Sequence, residues 1–423
     1  MRNEMPRPRR DAAASSPASD HVRPPRRGLN PAVPCPHFPR CVGCPLVGTP
    51  YAEQLAEKDA ILRAALAGYP ELAPAAVEIE DPVGSPDEFG YRNQAKLVFR
   101  TRYLPPDRRE VLLGVYRPGT HSVSPADGCI VHHAQLQDVL RTLRSEVERL
   151  AIPVFDERTR SGALRYALVR CSTAHPEVHL TLVSVVPDPP ALDELLRSLR
   201  RAHSTLTATF LCVNATPGNT ILSPDIRLLH GQPALLERFG DLELESRPDA
   251  FLQANTAIAT QIYATACGWL EPQPDDVAVD LYSGVGAIAL HLAPHVARVL
   301  GIEAQAAAVA CALANAQRRG ALNADFVAAT VEDTPSVIAA RRLGPVSLVS
   351  VNPPRKGMSA RGVDVLAGLA ARRILYVACD PRTLARDLAV LRGRGYQLQR
   401  VRAFDMLPQT PHVEAVALLA RAS

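Results

Sequence analysis

The sequence predicts an α/β protein: a doubly wound sheet over residues 251–423, preceded by an α+β region over residues 34–250. Two observations carry this. After Phe251, apolar runs of strand length alternate with helical runs, the rhythm of a mainly parallel sheet whose site lies at the strand carboxyl ends. Before Phe251, strand-like runs are separated by turn-forming stretches and by fewer helices. A chain of 423 residues has room for two or three domains.

Residues 1–33 are rich in Pro, Arg, Ser and Ala without periodicity, and are expected to be disordered. Apolar spacing predicts a helix from Tyr51 to Ala67. "YRNQAKLVFRTRYL" and "EVLLGVYRP" read as strands around the turn "PPDRRE", and "LRYALVRCS", "EVHLTLVSVV" and "ATFLCVNAT" as further strands. "AQLQDVLRTLRSEVERL" and "ALDELLRSLRRA" are the helices among them. In the C-terminal part, strands are expected in "DVAVDLYSG", "VARVLGIEA", "ADFVAAT", "PVSLVSVNPP" and "RRILYVACDP", with two more closing the chain.

Apolar residues make up 47% and charged residues 21%, within the ordinary range for globular proteins. The net charge of +4 favours an anionic partner only weakly. All but three of the 47 basic residues (Lys58, Lys96 and Lys356) are arginine, whose planar fork suits phosphate, although genome composition accounts for the bias equally well. No apolar run approaches the roughly 20 residues of a membrane span, and the arginine-bearing N-terminus lacks the apolar core of a signal peptide. A cytoplasmic protein is expected, in which nine cysteines are not a disulfide framework.

Four stretches carry chemistry. In "VDLYSGVGAIAL" a strand ending in Asp280 meets a turn with Gly284 and Gly286, which lets a ligand approach the backbone. The next strand ends in Glu303, placed to accept both hydroxyls of a ribose, in a dinucleotide or an adenosyl cofactor. "VNPPRKG" ends another strand in a rigid two-proline corner of the kind S-adenosylmethionine-dependent enzymes hold against planar bases, with Asn352 as donor and acceptor. "ILYVACDPRTLARDL" sets Cys379 at a strand end, where the following helix and Arg382 and Arg386 are expected to lower its pKa. In "FDMLPQTPHVEAVALL", Glu414 lies between a constrained turn and an apolar strand, where burial raises a carboxylate toward the range of a general base. Methylation of uracil carbon 5 needs such a pair: a thiolate to add at carbon 6, and a base to remove the carbon-5 proton afterwards.

With "FLQANTAIATQIY", "DLYSGVGAIAL", "NPPRKG", "YVACDPRTLARDL" and "DMLPQTPHVE" in order, the chain resembles the RNA 5-methyluridine methyltransferase family over its last 170 residues or so, and "GYRNQAKLVF" resembles a segment upstream. The resemblance implies a Rossmann-like S-adenosylmethionine methyltransferase domain beside an RNA-binding domain. It also implies cofactor contacts at Gln253, Tyr282, Glu303 and Asn352, beside the Gly284 read from the turn, a nucleophile at Cys379 and a base at Glu414. The chain has Asn352 where the family usually has Asp, and Ala378-Cys379-Asp380 where it has Ser-Cys-Asn. The Asp380 charge is expected to raise the thiol pKa unless arginines offset it.

"CPHFPRCVGCPL" sets Cys35, Cys41 and Cys44 close together, and Cys129 in "SPADGCIVHH" is the best fourth ligand. Spacing alone permits zinc or an iron–sulfur cluster, with His132 and His133 as alternative ligands. The resemblance favours a 4Fe-4S cluster, which ribosomal RNA members carry on a matching set of cysteines. It thereby favours 23S ribosomal RNA over transfer RNA as partner; a uridine inside a folded RNA must be extruded to reach the thiol. Methylation of another base group, and RNA binding without catalysis, remain the alternative functions.

Overall fold

The computed structural model describes residues 35–72, 77–106, 108–117, 119–218 and 220–422; the expected tail, residues 1–33, lies outside the described residues. Helix α1 (Tyr51–Ala67) covers the stretch its apolar spacing predicts, and β1 (Glu78–Val83) follows it. The chain then builds β2 (Gln94–Leu104), β3 (Arg108–Tyr116), β4 (Val123–Pro125), α2 (Ala134–Arg149), β5 (Leu164–Cys171) and β6 (Val178–Ser184). Helix α3 (Leu192–Ala202), β7 (Leu206–Val213) and β8 (Ile226–Gly231) complete a seven-stranded sheet of order β4-β3-β2-β5-β6-β7-β8. It is antiparallel except where α3 crosses over to make β6 and β7 parallel. Leu136, Val139, Leu140, Leu143 and Val147 recur at helical spacing along α2, and that stripe packs on one sheet face with Leu195 and Leu199 of α3.

A tight hairpin comes next, β9 (Leu235–Phe239) and β10 (Leu242–Ser246), turning on Gly240 and Asp241. Gly240 takes φ +66, which favours glycine in a two-residue turn. The remaining elements are α4 (Thr256–Leu270), β11 (Val277–Leu281), α5 (Ala287–Leu292), β12 (Arg298–Glu303), α6 (Ala306–Arg319) and β13 (Ala324–Ala328). Then follow α7 (Thr334–Arg341), β14 (Leu348–Val351), α8 (Ala360–Gly368), β15 (Arg373–Ala378), α9 (Pro381–Gly393), β16 (Tyr396–Phe404) and β17 (Glu414–Arg421).

These strands form an eight-stranded sheet, order β1-β16-β17-β15-β14-β11-β12-β13. From β15 to β13 every pairing is parallel, and β17 runs antiparallel between β15 and β16. Along β15, Ile374, Tyr376 and Ala378 enter one core while Leu375 and Val377 enter the other, so both faces are buried under helices. The strand order reverses between β11 and β14, which opens a crevice at their carboxyl ends, the place where such sheets bind ligands.

Residues before 251 contribute to this half as well. β1 pairs in parallel with β16, covering an edge that would otherwise present open backbone groups. Phe239, Leu242 and Leu244 of the hairpin join the core formed by α4, α5 and α6. Among the described residues no helix is long and apolar enough to cross a membrane.

Candidate active site

The turn after β11 is shaped by close packing against Phe326 of β13. A side chain on Gly301 would place its Cβ 2.2 Å from Phe326 Cδ1, and one on Gly286, at φ +89, 2.8 Å from Phe326 Cζ. Gly301→Ala is therefore expected to destabilise the fold by about 1–3 kcal/mol, read as a fall in Tm, because the neighbouring ring has to move. Asp280 braces the same turn. Buried, it accepts hydrogen bonds from Ala289 N at 3.1 Å and Ser350 Oγ at 2.6 Å, tying β11 to α5 and β14, and burial pushes its carboxyl up to about 7.

The five residues expected around the cofactor fall in three places. Tyr282 (φ +58), Gly284 and Glu303 gather at the ends of β11 and β12, where Glu303 Oε2 accepts from Gly284 N at 3.1 Å and Oε1 from Gln305 N at 2.9 Å. That leaves the carboxylate fixed at the crevice rim with lone pairs to spare for hydroxyl donors. Asn352 stands just past β14, its N–H donating to Leu281 O at 3.3 Å, and so reaches the crevice from the other side of the switch point. Gln253 lies in the segment before α4, which is stitched to the upstream motif. Asn93 Nδ2 donates to Gln253 O at 3.0 Å and to Thr256 Oγ1 at 2.9 Å, and Gln94 Nε2 to Leu252 O at 2.8 Å. "YRNQ" and "FLQANT" are thus packed together although they are far apart in sequence.

Cys379 and Glu414 are brought together by strand register. β15 and β17 run antiparallel with Ala378 opposite Ala415, so Cys379, one residue on, faces Glu414, one residue back. The Glu414 carboxyl is buried and pushed up to about 7, while nearby Arg355 pulls it down. The half-buried Cys379 thiol is also raised, by burial first and then by Glu414; Arg355 pulls it the other way, and Asp380 adds a small upward push.

This corrects the expected lowering by α9 and its arginines. Arg382 turns onto Asp380, with Nη2 2.9 Å from Oδ2. Arg386 donates to Lys356 O at 3.0 Å and Met358 O at 3.2 Å, holding the "NPPRKG" corner against α9. Asp380 is the N-cap of that helix, accepting from Arg382 N at 2.9 Å, a place where Asp and Asn serve alike. Burial pushes the Asp380 carboxyl up, but the Arg382 hydrogen bonds outweigh it and hold the group ionised below its usual range. The cation that does address the thiol is Arg355, present in the quoted "NPPRKG" but not singled out by sequence; only the fold shows that this corner faces both Cys379 and Glu414.

The cysteine loop, residues 35–44, lies against the segment between β4 and α2. His37 hydrogen-bonds the Asp127 carbonyl, and Ser124 Oγ donates to Arg40 O at 3.2 Å. Cys44 is pushed up to about 12 by burial, with Cys129, Cys41 and Cys35 adding to it, so the four thiols share one neighbourhood. Among the described residues no three His, Cys, Asp or Glu side chains are set to hold a single metal ion. The His132 ring is engaged by Gln137 Nε2 at 2.8 Å.

Residues 240–422 match the family model described as tRNA (uracil-5-)-methyltransferase. An uncharacterized RNA methyltransferase of Geobacter sulfurreducens is 35% identical over 92% of this chain and 77% of its own length. Another from Thermosynechococcus vestitus is 34% identical over 90% of this chain and 82% of its own. Among solved structures, the Pyrococcus abyssi tRNA (uracil-54, C5)-methyltransferase in complex with S-adenosyl-L-homocysteine superposes with a TM-score of 0.70 and 27% identity, covering 90% of this chain and 86% of that one.

Proposed function

Given that the chain belongs to the RNA uracil-5 methyltransferase family and methylates carbon 5 of uracil in RNA with S-adenosylmethionine, we propose that Cys379 is its nucleophile, Glu414 its general base, and 23S ribosomal RNA its substrate. The observation that carries the residue assignment is the register that sets the thiol opposite a buried carboxyl at the edge of the crevice.

S-adenosylmethionine would supply the methyl group, held by Tyr282, Gly284, Glu303 and Asn352 at the rim of the crevice and by Gln253 from the segment before α4. The Cys379 thiolate adds to carbon 6 of the extruded uracil, and the carbon 5–carbon 6 π electrons move toward the carbon-4 oxygen. The enolate so formed attacks the methyl carbon from carbon 5, and the sulfonium leaves with its bonding pair as S-adenosylhomocysteine. Glu414 then takes the carbon-5 proton, the double bond returns, and the sulfur–carbon 6 bond breaks to release the thiolate. Arg355, which favours the charged forms of both Cys379 and Glu414, lowers the cost of ionising them in a desolvated site. Because the Glu414 carboxyl is raised to about 7 and a base must be ionised to work, turnover is expected to rise as pH increases through about 7, measured as kcat on a fixed RNA.

Glu303→Ala removes the carboxylate proposed to hold the ribose. It is expected to weaken S-adenosylhomocysteine binding about 10- to 100-fold, read by calorimetry, since hydrogen bonds to a charged group are at stake.

The ribosomal reading rests on the cysteine neighbourhood. A 4Fe-4S cluster would be held by the thiolates of Cys35, Cys41, Cys44 and Cys129, the four cysteines that share this neighbourhood. Anaerobic purification should then give a brown protein with four irons per chain, absent in Cys41→Ser; zinc alone would overturn the iron assignment. The likeness to the Pyrococcus abyssi transfer RNA enzyme favours a second reading, with transfer RNA as substrate. Offering both RNAs to the purified protein and mapping 5-methyluridine decides between them.

A further inference from the structure

The loop from Asp405 to Val413 joins β16 to β17 and ends immediately before Glu414. The sheet pairs Phe404 with Glu414, so Asp405 follows directly on the residue opposite the proposed base. Helix α1, from the other end of the chain, grips this loop at two levels. Lys58, 1% exposed, pairs with Asp405, 0% exposed, and its ammonium also donates to Leu407 O at 3.1 Å. Tyr51 joins them, donating to Asp405 Oδ2 at 2.9 Å while accepting from Ser85 N at 2.6 Å.

One turn along the helix, Gln54 and Gln409 close a reciprocal pair. Gln54 Nε2 donates to Gln409 Oε1 at 3.0 Å, and Gln409 N donates to Gln54 Oε1 at 3.0 Å. Gln409 O accepts from Leu46 N at 3.1 Å, and Tyr91 donates to the neighbouring Pro408 O at 3.0 Å. Gln409 is held at φ +69, a left-handed conformation that residues with a side chain adopt rarely and keep only where their surroundings impose it.

These groups are costly to bury for the sake of stability alone. A buried ion pair gives up two hydration shells, and an apolar patch of equal volume covers a loop as well or better. What fully satisfied polar contacts add is a single defined position. The basic residues point the same way: in a chain where nearly every one is arginine, position 58 is lysine, whose compact ammonium reaches a carboxylate and a carbonyl together. Proton abstraction depends on such definition, because the base must sit within hydrogen-bond reach of the proton it removes.

We propose that Gln54 and Lys58 are positioning residues for Glu414: through Gln409 and Asp405, α1 fixes the loop that aims the base at carbon 5 of the methylated uracil. The inference rests on the reading of Glu414 as the base. Its signature follows from the order of steps. Thiol addition and methyl transfer precede the base, so a slackened loop leaves them intact and delays only the release of Cys379 from carbon 6. Gln54→Ala in the full-length chain is expected to form the covalent protein–RNA adduct within about twofold of the wild-type rate but to release methylated RNA about tenfold or more slowly.

The experiment is a single turnover on an RNA transcript that the wild type methylates, with adduct and free product separated on a denaturing gel and S-adenosylhomocysteine affinity measured alongside. If Gln54→Ala loses that affinity by misfolding, the isosteric Gln54→Glu, which keeps the acceptor for Gln409 N, carries the test on the same readout. Adduct formation and release falling together in a variant that still binds S-adenosylhomocysteine, or neither changing, overturns the positioning role. Glu414→Gln serves as reference. Failure of that variant to accumulate adduct sinks the base assignment itself; accumulation there but not in the Gln54 variants sinks the positioning role alone.

Discussion

Cys379→Ala is expected to abolish methyl transfer, with a loss at least on the order of 10⁴-fold, because carbon 5 of uracil is too poor a nucleophile to attack a sulfonium without prior addition at carbon 6. The sharper measurement uses RNA carrying 5-fluorouridine. After methylation, carbon 5 then holds fluorine and methyl but no proton, so elimination is blocked and the wild-type protein remains bonded to the RNA through sulfur. The adduct should appear as a gel-shifted band in the wild type and be missing in Cys379→Ala. No adduct with the wild-type protein would remove the covalent route altogether. The variant should keep its fold, since the thiol is only half-buried and makes way for a smaller apolar group at a strand end.

Glu414→Gln is the second large effect, and it acts in opposite directions on activity and stability. Turnover should fall about 10²- to 10⁴-fold, with methylated adduct accumulating on ordinary RNA, since only the last proton transfer is lost. Stability should rise. The Glu414 carboxyl has its folded-state pKa raised to about 7 from an ordinary 4.5, so its ionised form is disfavoured in the fold. A group raised in this way contributes no penalty below its unfolded pKa and a growing one as pH rises, levelling off above the folded value. Glutamine carries no such penalty. The variant should therefore be more stable by about 3 kcal/mol at pH 8 and by under about 1 kcal/mol at pH 5, measured by denaturant unfolding at the two pH values. Equal stability at both would mean that the carboxyl is not held in a desolvated place.

The parts of the candidate site that were legible in sequence are those where a strand ends in a chemically distinctive residue. Glu303, Asn352 and Cys379 each follow an apolar run, and a parallel sheet brings such ends to one edge. The acidity of Cys379 was not legible, because linear neighbours are a poor guide to which charges meet. Arg382 and Arg386 follow the thiol in sequence but are taken up by Asp380 and the "NPPRKG" backbone, while Arg355 arrives from the turn after β14. Nor was the reach of the catalytic half toward the N-terminus. The β1 sequence "EIEDPV" has little apolar alternation, and its partner β16 lies near the far end of the chain, so no local pattern signals the pairing.

That pairing has a consequence for how the protein comes into being. A ribosome delivers α1 and β1 first and β16 and β17 last; Tyr51 and Asp405, which meet in the finished molecule, are 354 positions apart. The seven-stranded sheet draws its strands from one continuous stretch and is able to fold while synthesis proceeds. The eight-stranded sheet is not: its first-made strand waits, unpaired, until β16 has emerged, and closure of so long a loop makes that stage slow. Methylation competence thus requires synthesis to have reached β17, because a shorter nascent chain lacks Glu414, the proposed base.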